Sequence, residues 1–424
     1  MKFKRTLAIT LCAAIISITN INAQVTIGSG EKPSEGALLD LKMGSNGMAT
    51  KGLGMPLVEL TNLNPDTPAE LSASIGGTGD WVLDNHVALV VYNTKEANRC
   101  ATQPIYEGLY VFDGDEWQFH GEKGSEPISP EVYTYTDPRD GNEYRYREFY
   151  YMDGNNKVSA GQWMLENLRY IPDNTDTGFT GFTHTAANAP NTYTDKYWAY
   201  PWKGPNGNGS GTYNAVQAQA DWDSHMGILY NWVAATNGRV TIAHPREGQG
   251  EANEADAIGV QGICPVGWHM PTDKEWNGLE HAIYNNASQY SQYKDDGSDA
   301  FTPTTWQSEW ETGSVTLPGY GSRGSSSTKG HGLVMLAECP LPGSTYSGKS
   351  LSTAQGGFEV FLVGLAMFDV ISNYGSDSGI WSASAYSASS GYVRYISQQN
   401  PGVRRGSASR SYFLSVRCVR DMAN

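Results

Sequence analysis

The chain has 424 residues with 12 Trp, 25 Tyr, 11 Phe and 48 Gly, and only 17% of it is charged, a composition that excludes a disordered polyampholyte. At roughly 150 residues per domain, the length predicts two or three domains, each burying about 65–70% of its unfolded surface without help from a metal. The formal net charge of −15 argues against a nucleic-acid partner, because phosphate neutralisation needs clustered cations. Beyond the amino terminus the densest basic run is Arg404-Arg405, which reads as part of a solvated loop.

Residues 1–23 read as an export signal. Lys2, Lys4 and Arg5 form a positive start, Leu7 to Ile18 an apolar stretch, and Ile21-Asn22-Ala23 a cleavage site before Gln24. Their loss would take the net charge from −15 to −18. The apolar run is shorter than the roughly 20 residues a membrane-spanning helix requires, and no later segment is longer. Cys12 follows the bulky Leu11, which disfavours lipoprotein cleavage. Cys100, Cys264, Cys339 and Cys418 then remain, and in an exported chain at least one disulfide is expected, with three full pairings possible. No Cys-x-x-Cys occurs, so no structural zinc site is expected, and no metal-ligating residues and no cofactor are assigned.

From residue 24 to 120 the pattern is short apolar runs punctuated by Gly and Pro, which predicts strands and turns. Val87 to Thr94 is the best buried-strand candidate, and Asp113-Gly114 between Gly108–Phe112 and Trp117 predicts a hairpin. The ordered pieces Val25-Thr26-Ile27-Gly28, Ala37-Leu38-Leu39-Asp40-Leu41, Lys51-Gly52-Leu53, Val91-Tyr92-Asn93-Thr94 and Gly108-Leu109-Tyr110 to Trp117 resemble an amino-terminal β module of exported surface and fibre-like proteins of Bacteroidetes. That resemblance implies a connector or assembly role, with a surface-assembly partner. Residues 121–131, rich in Gly, Glu, Ser and Pro, read as a linker.

Strands resume at Tyr133–Thr136, Tyr144–Tyr146 and Phe149–Tyr151, and the stretch from Pro172 to Asp221 has no helical period and reads as a long loop. Two helices are predicted. Thr272-Asp273-Lys274-Glu275 is a capping box that opens one, with Trp276, Leu279, Ala282 and Ile283 at core-facing spacing. A shorter one runs through Leu229 to Ala235 and stops at Asn237-Gly238. Strands then follow at Leu333–Leu336, Phe358–Phe368, Gly379–Ala383, Tyr392–Ile396 and Phe413–Val419. The fold class is α+β with strands in the majority.

The ordered set Gly161-Gln162-Trp163-Met164-x-Glu166-Asn167-Leu168, Leu229-Tyr230-Asn231-Trp232, Cys264-Pro265-x-Gly267-Trp268-His269-x-Pro271-Thr272-Asp273-x-Glu275-Trp276, Gly357-Phe358, Trp381-Ser382 and Ser415-Val416-Arg417-Cys418-Val419 resembles the Fibrobacter succinogenes major paralogous domain. The resemblance covers 132–421 and implies a C-type-lectin-like fold in an exported surface protein, behind a small all-β module. Trp163, Trp268, Trp276 and Trp381 then read as core anchors. Because Cys264 opens the helix-bearing segment and Cys418 ends the last strand, a Cys264–Cys418 bond is the preferred pairing, with Cys100 and Cys339 left unassigned.

The same Gly267–Trp276 string is similar to formylglycine-generating enzymes, which need two reactive cysteines a few residues apart; only Cys418 lies in the corresponding region, which disfavours that oxidoreductase chemistry. No Gly-x-Ser-x-Gly, His-Glu-x-x-His or Gly-x-x-x-x-Gly-Lys occurs, so no enzyme is predicted. Asp221 and Asp223, and Glu251 and Glu254, read as solvated charges; His225, His269 and His281 read as surface or packing residues; Lys294 to Asp299 reads as a turn. For ligand binding the candidate is Tyr197, Trp198, Tyr200 and Trp202 beside the Gly- and Asn-rich 204–211 segment. Such rings can form a stacking platform for a glycan or a protein side chain, or plug the core. The functional expectation is a non-enzymatic, exported, cell-surface binding or adhesion protein. The alternative is a tip or spacer of a surface fibre.

Overall fold

The computed structural model describes residues 25–27, 30, 32, 37, 39–46, 48–97, 100, 103–121, 128–176, 178–185, 193–238, 260–303, 305–306, 321–324, 329–367 and 370–421. The expected signal 1–23, linker residues 122–127, and Glu251 and Glu254 lie outside the described residues. Two compact units result, Met1–Ala97 with Ile105–Gly121, and Asn98–Pro104 with Glu122–Asn424.

The first unit carries a four-stranded sheet in the order Leu57–Val58, Val90–Asn93, Gly108–Phe112, Trp117–His120, parallel in its first pair and antiparallel thereafter. The Asp113-Gly114 turn closes the last hairpin because Asp113 Oδ1 accepts from the amides of Asp115 and Glu116 while Gly114 adopts a φ of 112°. Its core holds Leu60, Leu71, Val91, Tyr110, Phe112 and Trp117. Asn93 is buried in it, accepting from the Leu60 amide and donating to the carbonyls of Lys95 and Tyr106. The strand-dominated module also includes a helix, Pro68–Ser74, which the strand reading did not anticipate. Thr67 and Glu70 form its capping box and Pro68 sits in its first turn, so the start signal was present in the residues. Val25–Ile27 pairs in parallel with Leu39–Leu41 as a separate two-stranded sheet.

The second unit is α+β and strand-rich. One sheet runs in the order Trp268–His269, Val419–Arg420, Asn156–Met164, Glu143–Asp153, Tyr133–Thr136. A seven-stranded sheet runs in the order Gly211–Thr212, Val370–Tyr374, Val363–Met367, Asp377–Ser387, Ser390–Ser397, Asn400–Ser409, Gly321–Arg323. The helix Asp273–Asn285 packs against strands of both sheets, and its Thr272–Glu275 capping box is formed. Trp163, Trp268, Trp276 and Trp381 are all buried. Trp163 and Trp276 meet at 4.9 Å between ring centroids, and Trp381 Nε1 donates to the Tyr230 carbonyl.

Several expectations need correction, among them Phe413–Val419, of which only Val419 continues into a strand, Val419–Arg420. Leu333–Leu336 is not a strand: His331–Met335 is a helix, and a four-residue apolar run carries no periodicity to tell the two apart. Within 172–221 the structure places strands Phe182–His184, Lys196–Ala199 and Gly211–Thr212 and the helix Ala215–Asp221, capped by Asn214. Residues 229–235 divide into a strand, Leu229–Tyr230, and a helical turn, Trp232–Ala235, because Asn231 caps the turn through the Ala234 amide.

Candidate functional site

Of the four candidate rings, three are in the core. Trp198, Tyr200 and Trp202 are buried, and Tyr197 is partly buried against the same cluster. Strand Lys196–Ala199 is central in a three-stranded sheet, between Phe182–His184 and Leu229–Tyr230, and its Trp198 and Ala199 pack into the main core cluster. Trp198 stacks on His184 at 4.1 Å, and Trp202 Nε1 donates to Asp221 Oδ2 at 2.9 Å. In this conformation Trp198, Tyr200 and Trp202 plug the core and offer no open stacking platform; the rings are consumed by packing that the run of aromatics alone cannot reveal.

Cys264 and Cys418 are bonded, with Cα atoms 5.9 Å apart, and Cys100 is bonded to Cys339 at 4.9 Å between Cα atoms. Every cysteine after residue 23 is therefore in a disulfide, and Cys339 and Cys418 are bonded to other partners rather than to each other. His225 is exposed and bonded to Asp223 Oδ1, whereas His281 lies against Tyr151 and stacks on Trp306. His269 is buried, with Nε2 at 2.7 Å from Glu275 Oε1 and Nδ1 at 2.7 Å from Asp421 Oδ1. Burial disfavours its charged form, but the two carboxylates outweigh that and raise its pKa. His269 thus ties the helix start to the end of the last strand.

Arg404-Arg405 is not a solvated loop. The pair lies in strand Asn400–Ser409, where alternation leaves Arg404 exposed and turns Arg405 inward. Arg405 Nη2 donates to Asp273 Oδ2 at 2.6 Å. Arg394, directly opposite it, donates to Asp273 Oδ1 at 2.6 Å and to Asn277 Oδ1 at 2.8 Å, and its Nε also donates to Glu280 Oε1. His331 Nε2 is 3.1 Å from Glu280 Oε2. Asp273, Asn277 and Glu280 recur every three or four residues, so they form one polar stripe on the helix. Burial alone would raise the Glu280 pKa, but Arg323, Arg394 and His331 bring it down to about 2.

A cleft of about 690 Å³ lies around Glu166. Arg145, Arg169, Thr353, Glu359 and His225 stand around it. Glu166 Oε2 accepts from the Arg145 amide at 2.7 Å, and Arg145 Nη1 donates to Thr353 Oγ1 at 2.8 Å. Desolvation of Glu166 exceeds the pull of that amide and of three nearby arginines, lifting its pKa to about 7. Beneath it Arg417 is fully buried, donating to Asn167 Oδ1 and to the carbonyls of Phe358 and Glu359. Glu359 sits at a φ of 32°, held there while its carboxylate accepts from the Thr353 amide. The string Trp163–Leu168 contains Glu166, yet no spacing in the sequence assigns it a role. Among the described residues no group of three or more His, Cys, Asp or Glu is placed to hold a metal ion.

The family model for the Fibrobacter succinogenes major domain matches residues 157–420, more than half of the chain, and the protein belongs to that family. A second model, a phage-tail-like trimerisation region, matches residues 26–129. No curated protein and no solved structure matches the chain. The family suggests a surface protein, and the two disulfides are consistent with export. Among the described residues no helix is long and apolar enough to cross a membrane.

Proposed function

We propose that the chain is an exported, non-enzymatic surface protein whose amino-terminal unit joins it to further copies of itself and whose carboxyl-terminal, lectin-like unit presents a glycan- or protein-binding head. One observation carries this reading: the segment matched by the trimerisation model is also where large apolar side chains face solvent. Ile27, Leu39, Leu41, Met48, Leu53 and Leu57 are all exposed, Leu57 at 73%. A parallel ladder of two three-residue strands cannot be stable alone in water, and an apolar surface of this kind marks an association site. Three copies would supply the missing core.

The assembly match also favours a second reading, in which the protein is a structural tip or spacer of a surface fibre. Light scattering on the full chain tests the shared part. A trimer is expected, and Leu39→Asp with Leu57→Asp should shift it to monomer while the far-ultraviolet spectrum is retained. A parent chain that is monomeric at micromolar concentration sinks the assembly reading. Retention of the trimer on a glycan or protein array then separates a binding head from a spacer.

A further inference from the structure

The seven-stranded sheet is two-faced. Ile380, Ile396 and Val403 point to the face packed under the helix Asp273–Asn285, together with Arg394 and Arg405. On the opposite face two rows of side chains cross the strands. Gly379, Tyr395, Arg404 and Ser322 are consecutive partners in one row. Asp377, Ser397 and Asn400 are consecutive partners further along, two residues on in the first two strands and four in the third, beyond a register shift at Ile396/Ser397. Gly379 apart, the residues of the two rows line, with Asn373, Gln399 and Leu365, a cavity of about 510 Å³, within the range of small-molecule sites.

The chemistry of that lining is specific. It carries one carboxylate, one guanidinium, three side-chain amides, two hydroxyls and a phenol ring, while Leu365 is its one aliphatic side chain beyond glycine. Opposite charges cancel, so neither an anion nor a cation is favoured. Amides and hydroxyls both donate and accept, which suits a ligand whose every group does the same. The ring is prepared as well. A Cβ at Gly379 would come within 3.0 Å of the Tyr395 ring and one at Gly406 within 3.3 Å, so the two glycines let the ring lie low across the strands. The Arg404 guanidinium stands 5.2 Å from the ring centroid. An aromatic face beside fixed polar groups matches the apolar C–H face and hydroxyl rim of a pyranose.

We infer that this sheet face is a saccharide-binding site for neutral sugars, with Tyr395 as the stacking surface and Asp377, Asn400 and Arg404 as the groups that fix hydroxyls. The inference rests on the binding-head reading and gives it a location and a ligand class. Nothing in it uses the Glu166 cleft or the buried 198–202 rings.

The test is an array of neutral hexose and hexosamine oligosaccharides, with sialylated and sulfated ones alongside, probed with the full chain and with Tyr395→Ala, Asp377→Asn and Asn400→Ala variants. Melting temperature and oligomeric state are measured for each variant. The expected result is retention of neutral oligosaccharides by the parent and at least a tenfold loss in each variant, at unchanged melting temperature and assembly. Since Tyr395 also packs on neighbours, the Asp377 and Asn400 variants decide the matter if Tyr395→Ala is destabilised. No neutral oligosaccharide retained, or selective retention of charged ones, overturns the inference. Equal retention by parent and variants overturns it too, but leaves the binding-head reading standing with its ligand elsewhere. Failure to assemble leaves the site intact and removes only the self-association reading.

Discussion

Glu166 departs from an ordinary surface carboxylate in both position and chemistry. Its pKa rises to about 7 because burial outweighs the Arg145 amide and the arginines around it. A folded pKa above the unfolded value near 4.5 favours the protonated form in the fold, so this contribution to stability is complete below about pH 4.5 and is lost as pH rises through about 7. Glu166→Gln keeps the acceptor for the Arg145 amide and removes the titration. The parent should therefore lose stability relative to the variant between pH 5 and pH 8, measured by urea unfolding of both proteins. An unchanged difference across that range would show that Glu166 titrates normally. At this scale the sequence was legible in its anchors and silent on its polar groups. Trp163 and Trp276 read correctly as core because large rings have few other places to go. Arg417 acquires its partners from residues remote in sequence, and His269 pairs the nearby Glu275 with the remote Asp421.

Helix Asp273–Asn285 illustrates what a start signal and an apolar period do and do not determine. Thr272 and Glu275 fix where it begins, and Trp276, Leu279, Ala282 and Ile283 fix which side is apolar. The polar stripe of Asp273, Asn277 and Glu280 is equally buried, however, and a periodicity argument would send it to solvent. What reverses that is alternation in strands more than a hundred residues away, which brings Arg394 and Arg405 in from opposite positions. Removing one member of such a buried set leaves an uncompensated charge and costs about 3–5 kcal/mol, whereas the whole set could be replaced by apolar groups at little cost. Glu280→Gln is accordingly expected to destabilise by about that amount near neutral pH, read by urea unfolding. The parent's own dependence has the opposite sign to that of Glu166. A folded pKa near 2 keeps Glu280's contribution present above about pH 4.5 and loses it as pH falls towards 2. If Glu280→Gln melts like the parent at pH 7, the cluster is not a stabilising ionic network.

For the whole molecule, the two halves of the chain were legible to different degrees. Hairpin chemistry at Asp113-Gly114 and the strands around it set the amino-terminal sheet locally, but nothing local says why Leu57 and Met48 face water, and the proposed self-association is what would cover them. The carboxyl-terminal unit is set by long-range closure. Cys264 and Cys418 are both fully buried, and the Cys418 carbonyl accepts from the Met164 amide, so the bond sits where the last strand joins its sheet. It closes a loop across a sequence separation of 154, which by the chain-entropy model restricts the unfolded ensemble by about 5 kcal/mol. Native strain and residual structure lower the measured value, so Cys264→Ser with Cys418→Ser should cost about 2–5 kcal/mol. In a domain of this size that is a fall in melting temperature of roughly 3–8 °C. Burial adds a kinetic expectation: reductant under native conditions should leave Cys264–Cys418 intact until the domain opens. Differential scanning calorimetry with and without reductant, followed by thiol labelling, checks both. Labelling of Cys264 and Cys418 well below the melting transition would mean that this end of the sheet opens locally and that the disulfide, rather than the packing, holds the last strand in place.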